Sequence, residues 1–178
     1  MSLRRGFLTI ASLASVIAVW SALAGGQATA SPTTPLTGHF PIEDHNAMLE
    51  PESTVCGFPI SADVTGQGTF QVFFDNLGNP IRLNVLTHVT GTLSANGIEL
   101  RSASSDNKFY DFQNQTLVEV GLVFRDSGPG VGVVLMDRGR LIWNIDASGE
   151  MVGFPTFEAG PHPELHGNFG GLCAALTP

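Results

Sequence analysis

Residues 116–146 carry the clearest pattern of apolar and polar positions in the chain, with three apolar runs separated by two turn signals. In the first run, one set of alternate positions is wholly apolar: Val118, Val120, Leu122 and Phe124. A period of two is typical of a strand with one face in the core. The second run covers 131–135, and the third places Leu141, Trp143 and Ile145 on one side. Because turn residues fill 126–130 and 137–140, we predict a three-stranded meander with these apolar side chains inward.

Short alternating runs of the same kind extend from residue 58 to residue 112, with predicted turns at 66–68 and 75–80. Asn96-Gly97 is the sharpest turn signal, because both residues accept the positive φ values of a two-residue hairpin. The pattern gives about eight or nine strands and no helical periodicity after the leader. We therefore predict an all-β fold, a single antiparallel up-and-down β-barrel of about eight strands. A two-sheet β-sandwich is the alternative.

The first 30 residues have the three parts of a secretory signal peptide: Arg4-Arg5, an apolar run over 7–24, and the small-residue site Ala28-Thr29-Ala30. We expect cleavage after Ala30 and a secreted product. The arginine pair also resembles a twin-arginine signal, so general secretion and twin-arginine export both fit. The alternative is a retained anchor, because the run approaches the ~20 residues that span a bilayer. The cleavage site and the polar stretch behind it favour removal, which leaves no stable membrane anchor.

The next segment, 31–55, is rich in proline and acidic residues and has no lysine or arginine. This composition predicts an extended, partly disordered lead-in to a barrel domain over 56–178. His39 and His45 lie in this segment, and we expect them to be solvated, since a metal site needs three or four ligands in fixed geometry.

Charge narrows the choice of partners. The chain has eight basic and sixteen acidic residues. The leader holds two of the basic residues and none of the acidic ones, which leaves a net charge of −10 after residue 30. Such a charge argues against nucleic-acid and anionic-membrane partners.

Cys56 and Cys173 are the two cysteines of the chain. Outside the cytoplasm a pair of cysteines predicts a disulfide. Closing so long a loop stabilises a fold by about 4–5 kcal/mol in the chain-entropy model. A metal or redox role is the weaker reading, because no C-x-x-C motif or cationic neighbours are present. We expect the bond to join the first strand to the last.

Three segments carry a family resemblance: Cys-Gly-Phe-Pro-Ile at 56–60, residues 73–82, and Leu-Cys-Ala-Ala-Leu at 172–176. Together they resemble a group of small secreted actinobacterial proteins of unknown function. The resemblance spans most of the chain after the leader, but its motifs are structural. It implies a secreted β-barrel with one terminal disulfide, and it transfers no catalytic residue.

The candidate chemistry is sparse. His162-Pro163-Glu164-Leu165-His166 has a superficial likeness to zinc-protease spacing, but Pro163 and a misplaced glutamate predict a loop. Arg82 and His88 share the face opposite Leu83 and Val85 and are expected to point to solvent; they could bind a ligand, or act with Asp63 as acid–base groups, only if they pointed inward. Tyr110 and Trp143 are aromatic candidates for lining a ligand pocket, with the core as the alternative.

These observations predict a secreted, non-enzymatic protein that binds a small apolar ligand or a surface partner, with no cofactor, no metal and no catalytic residue. The alternative is an enzyme of the cyclase or dirigent type, in which a barrel guides a reactive intermediate of a small apolar substrate with few catalytic groups. That alternative requires polar side chains that face an open cavity.

Overall fold

The computed structural model describes residues 34–178, and these residues form an all-β fold, as predicted. The predicted signal peptide and its cleavage site after Ala30 lie outside the described residues. In chain order the elements are β1 (Leu36–Met48), α1 (Glu50–Cys56), β2 (Ser61–Phe74), β3 (Pro80–Ala95), β4 (Ile98–Asp111), β5 (Thr116–Gly128), β6 (Gly132–Ile145), β7 (Met151–Ala159) and α2 (Gly170–Ala175). Neither helix has the length and apolar composition needed to cross a membrane.

The strands form one antiparallel sheet in the order β1 to β7, so hairpin follows hairpin along the chain. Between residues 34 and 178 this is one sheet rather than the two of a sandwich, and β1 and β7 are its edges. Closure into a barrel by a β1–β7 ladder is therefore not observed. The sheet instead curls around its contents, because Phe40 of β1 and Met151 of β7 pack against the same buried cluster.

The strands are fewer and longer than predicted: the described residues hold seven, most of them 13–16 residues long. Two of the predicted turns are wrong, since 66–68 lies inside β2 and 137–140 inside β6. Glycine in these segments marks close backbone approach rather than chain reversal. The Asn96-Gly97 hairpin is confirmed, with φ values of 53° and 78°.

The lead-in predicted to be disordered is also different. Residues 36–48 form β1, which pairs with β2 from Leu36 opposite Val72 to Met48 opposite Ser61. Residues 50–56 form α1, with Pro51 in its first turn. A free edge of β2 supplies the backbone partners that order this segment, and local composition carries no signal for such a partner.

The orientation of β5 from Leu117 to Leu122 is the reverse of the prediction. Leu117 and Glu119 are buried, with 1% of each residue exposed, whereas Val120 is 37% exposed on the outer face. On β6 the predicted inward side is confirmed from Leu135 onward, since Leu135, Leu141, Trp143 and Ile145 are buried. It is wrong for Val131, just before the strand, and for Val133, which are 58% and 46% exposed. Val118, Val120 and Leu122 therefore face outward, and Glu119 faces inward. Beyond the register shift after Leu122, Phe124 packs against a buried cluster, as predicted.

Two apolar clusters fill the interior. One lies around Val72, Leu83, Tyr110, Leu117 and Trp143. The other lies beneath the helices and joins residues of the sheet to residues of the helical segments: Leu49, Ile60, Leu93, Leu100, Leu135, Phe169, Leu172 and Leu176. Buried polar side chains stand on the same inner face: Thr87, Asp106, Glu119, Asp126 and Asp137.

The Cys56–Cys173 disulfide is confirmed, with Cα atoms 5.1 Å apart. It joins α1 to α2, not the first strand to the last as predicted. Because α2 also contacts β6, the bond ties the two ends of the domain together over one end of the sheet.

Candidate functional site

An ion cluster lies on the inner face of β4 and β5. Lys108 and Glu119 are direct partners across the two strands, and Asp106 lies two positions before Lys108 on the same face. The Lys108 ammonium is 2.6 Å from Asp106 Oδ2 and 3.1 Å from Glu119 Oε1. Thr87, opposite Asp106 on β3, donates its hydroxyl to Asp106. One cation thus serves two buried carboxylates.

Burial and charge oppose each other in this cluster. Burial alone lowers the pKa of Lys108, but the charges of Glu119 and Asp106 outweigh it and raise that pKa. Burial raises the pKa of Glu119 despite the neighbouring lysine. Glu119 Oε2 has no hydrogen-bond partner, so the carboxylate is incompletely satisfied. The cluster is buried from solvent, and the charges of its two carboxylates are compensated only while Lys108 is present.

A second buried pair fixes the loop after β7. His162 Nδ1 lies 2.6 Å from Asp137 Oδ1, and His162 Nε2 lies 3.2 Å from the Ala159 carbonyl oxygen. Both ring nitrogens therefore face oxygen atoms, and 3% or less of either residue is exposed. Burial raises the pKa of Asp137, and the hydrogen bond with His162 opposes that shift. With both nitrogens occupied and no solvent access, the pair anchors the loop to β6.

An open groove lies on the opposite, outer side of β5 and β6, with a cavity volume of about 660 Å³. This volume falls within the range of small-molecule sites. The side chains that line it are apolar or basic: Val120, Leu122, Arg125, Val133, Met136 and Arg138. The wall is completed by the start of the loop after β7, where Gly160 and Pro161 lie. We call this feature the outer groove.

The strand register places each groove arginine opposite an apolar side chain. Arg125 pairs with Met136, and Arg138 pairs with Leu122. One step further along, Arg140 pairs with Val120. All three arginines are exposed, and within residues 34–178 none of them forms an ion pair with a carboxylate. The outer surface of β5 and β6 is therefore both apolar and positively charged, in a chain that is acidic as a whole.

Two glycines make room for the groove. A Cβ on Gly139 would stand 2.0 Å from the Ala159 carbonyl oxygen, and a Cβ on Gly160 would stand 2.3 Å from the Arg138 carbonyl oxygen. Their φ values of 137° and 111° are also positive. Only glycine accepts both the contact and the conformation, so the backbones approach directly and no side chain fills this wall of the groove.

An apolar row continues from the groove across the outer face. Phe109, Val118, Ile142 and Phe157 are successive register partners on β4, β5, β6 and β7. Phe109 is 43% exposed and Phe157 is 46% exposed. Arg140 lies over the Phe157 ring, with its guanidinium carbon 5.9 Å from the ring centroid. The row extends the apolar surface beyond the cavity itself.

The four predicted ligand-binding residues do not come together. Tyr110 and Trp143 are core residues, 4% and 2% exposed, and the two aromatic candidates therefore line no open surface. Arg82 and His88 lie on the outer face of β3, as the preferred prediction had it, and His88 Nδ1 is 2.9 Å from Ser105 Oγ. Asp63 lies at the surface near His45, with 3.3 Å between His45 Nδ1 and Asp63 Oδ1.

The histidine pair in the 162–166 segment lies in a loop, as predicted, and its members have different partners. His162 contacts Asp137, whereas His166 Nε2 is 2.9 Å from Glu158 Oε1. Among residues 34–178 no group of three or more histidine, cysteine or acidic side chains has the geometry to hold a metal ion.

Sequence reasoning missed both the ion cluster and the outer groove. A signal was present: Lys108 shares its strand parity with Tyr110, and Glu119 shares its parity with Leu117, so charged residues occupied core-facing positions. Val118, Val120 and Leu122 on the other side of β5 then had to face outward. Comparisons with protein-family models, curated proteins and solved structures return no match.

Proposed function

We propose that this protein is a non-enzymatic binding protein, and that its outer groove holds a small molecule with an apolar body and an anionic headgroup. The carrying observation is the pairing of unneutralised arginines with apolar side chains around a cavity of about 660 Å³. The chain's export signal makes the ligand an extracellular one.

The anionic headgroup follows from the charge of the groove. Within residues 34–178 Arg125 and Arg138 form no ion pair with a carboxylate, although the chain has twice as many acidic as basic residues. A guanidinium offers several donors in a fixed planar fork and suits carboxylate, sulfonate or phosphate groups. An acidic protein that leaves such groups free on one face gains selectivity for anions there.

The apolar body of the ligand is inferred from the apolar side chains that line the outer groove. Val120, Leu122 and Met136 line the cavity, and burying their surface against a ligand supplies about 25 cal/mol per Å². Methionine adapts to ligands of different shape. The groove is therefore suited to a flexible or flat apolar group rather than to a polar one.

Binding is favoured over catalysis because of where the ionisable groups lie. The hydrogen-bonded acid and base, Asp137 and His162, stand on the inner side of the sheet and are buried. A cyclase-type or dirigent-type enzyme would need Lys108 or Glu119 to face an open cavity, whereas 11% and 1% of these side chains are exposed. The groove offers anion binding and apolar contact without an acid–base pair.

The test compares two fluorescent probes of similar shape, anilinonaphthalene sulfonate and the uncharged N-phenyl-naphthylamine, with the folded secreted chain. We expect saturable binding of the sulfonate and weaker binding of the uncharged probe. Replacing Arg125 and Arg138 together by Gln should weaken sulfonate binding by about tenfold or more, since a hydrogen bond to a charged group contributes about 1.5–3 kcal/mol.

Arg82→Gln with Arg101→Gln is the matched control, because both of these arginines are exposed on other strands of the same sheet. This control should bind the sulfonate as the wild type does. Equal losses in both double variants, or equal affinity for the two probes, would show that the outer groove is not an anion site.

A further inference from the structure

The helical segments form a cap over one end of the sheet. We define the cap as α1, the loop 160–169 and α2. The disulfide joins α1 to α2, and Phe169, Leu172 and Leu176 pack onto Leu100 and Leu135 of the sheet. The cap therefore buries one apolar cluster, and it is linked internally by a covalent bond.

Three carboxyl groups of the cap and of the sheet beneath it influence one another's pKa. Glu52 comes from α1, Asp126 from β5 and Glu164 from the loop, and electrostatic interactions couple each of them to the others. Glu52 and Asp126 are 3% and 2% exposed. Glu52 Oε2 and Asp126 Oδ1 lack hydrogen-bond partners.

No cation neutralises these three groups within the described part of the chain. Lys108 is held by Asp106 and Glu119, and His162 is held by Asp137. The charged groups with the largest effect on the pKa of Glu164 are acidic: Glu52, Asp137, Glu119 and Asp126. Asp126 has one compensating contact, from the Ser102 hydroxyl. If all three carboxyl groups were ionised, they would repel one another, and Glu164 would also be repelled by Asp137 and Glu119.

Burial is the main cause that raises the pKa of each group, to about 7 for Glu52, about 6 for Asp126 and about 8 for Glu164. Each carboxyl thus binds its proton more tightly in the folded state than in the unfolded chain. The stability that this contributes is complete below the unfolded pKa of about 4, and it is lost as the pH rises through the folded values.

We propose that the cap is a pH-responsive lid that lies closed on the sheet while Glu52, Asp126 and Glu164 are protonated and lifts when they ionise together. Because the disulfide holds α1 and α2 together, the two helices move as one unit, while the His162–Asp137 pair keeps the start of the loop on β6. Lifting uncovers the apolar cluster beneath it. The cap borders the outer groove only at Gly160 and Pro161, which complete one wall of that groove.

The test is hydrogen exchange followed by mass spectrometry at about pH 5 and about pH 9, with the α2 peptide normalised to a β3 peptide of the same sample. Normalisation removes the intrinsic effect of pH on exchange. We expect relative exchange of α2 to rise by roughly tenfold or more at the higher pH, because local opening sets the exchange rate. The triple variant Glu52→Gln, Asp126→Asn, Glu164→Gln should lose this rise.

Glu99→Gln, an exposed residue of β4, is the control and should behave as the wild type. The wild-type melting temperature should also fall by about 5–10 °C between the two pH values, and that of the triple variant should fall less. A constant ratio of α2 to β3 exchange in the wild type, or an undiminished rise in a triple variant that still melts cooperatively, would overturn the lid.

Discussion

Two regions of the interior bury carboxylates in opposite ways. Beneath β4 and β5, Asp106 and Glu119 share the ammonium of Lys108. Beneath the cap, Glu52 and Asp126 have no cation and keep unpartnered oxygen atoms. A buried charge is tolerated when it is paired and hydrogen-bonded, and an unpaired acid keeps its proton instead. The first region is thus a fixed ionic element, and the second is sensitive to pH.

The largest effect on stability is expected from removal of Lys108, whose ammonium Asp106 and Glu119 share. Lys108→Met should lower the free energy of unfolding by about 3–5 kcal/mol, because two carboxylates are left buried without a cation. Denaturant unfolding measures the loss. Adding Glu119→Gln to Lys108→Met should restore part of it. A loss below about 1 kcal/mol for Lys108→Met would mean that the ammonium contributes little.

Neutralising a carboxyl beneath the cap should have a smaller effect of opposite sign. Asp126→Asn should raise the free energy of unfolding by about 1–2 kcal/mol near pH 8.5, since the pKa of about 6 makes the ionised form costly there. Near pH 3, below the unfolded pKa of about 4, the variant and the wild type should be about equal.

The matched change on the surface is Asp75→Asn, which should destabilise the protein near neutral pH. The Asp75 carboxylate accepts the backbone N–H groups of Leu77 and Asn79 at 2.8 Å each, and hydrogen bonds from Asn79 hold its pKa below the usual range. If Asp126→Asn and Asp75→Asn changed stability in the same direction at pH 8.5, the contrast between unpaired buried and hydrogen-bonded exposed carboxylates would be wrong.

The smallest effect is expected at the exposed histidine of β1. Hydrogen bonds with Glu43 and then Asp63 raise the pKa of His45, so its contribution is present at acidic pH and is lost as the pH rises through the folded pKa. His45→Gln should therefore lower the melting temperature slightly near pH 5 and leave it unchanged near pH 9. A thermal shift larger than that of Asp126→Asn would contradict the solvent screening assumed for this site.

Local chemistry was enough for the strand type and for the tight turns. Asn96-Gly97 specifies its hairpin because few residue pairs accept two positive φ values. Glycine inside long strands misled, because Gly139 meets a neighbouring backbone oxygen that is distant in sequence. The sequence also did not show that residues 36–48 form an ordered strand, since the backbone partners of β1 belong to β2.

The candidate site was less predictable than the fold. Tyr110 and Trp143 looked like pocket residues because aromatic side chains serve both cores and ligands, and only packing separates the two roles. The outer groove depends on which face of β5 turns inward. That choice rests on Lys108 pairing with Glu119 across two strands, and a sequence shows the residues but not the register.

The sequence by itself determined the all-β class, the disulfide between Cys56 and Cys173 and the inward side of β6 from Leu135 onward, because alternation, turn chemistry and cysteine count act locally or by number. The tertiary structure decided that β1 joins the sheet, that the disulfide links two helices, and that arginines and apolar side chains meet on one outer face. These features depend on contacts between residues far apart in the chain, whose free energies no local pattern records.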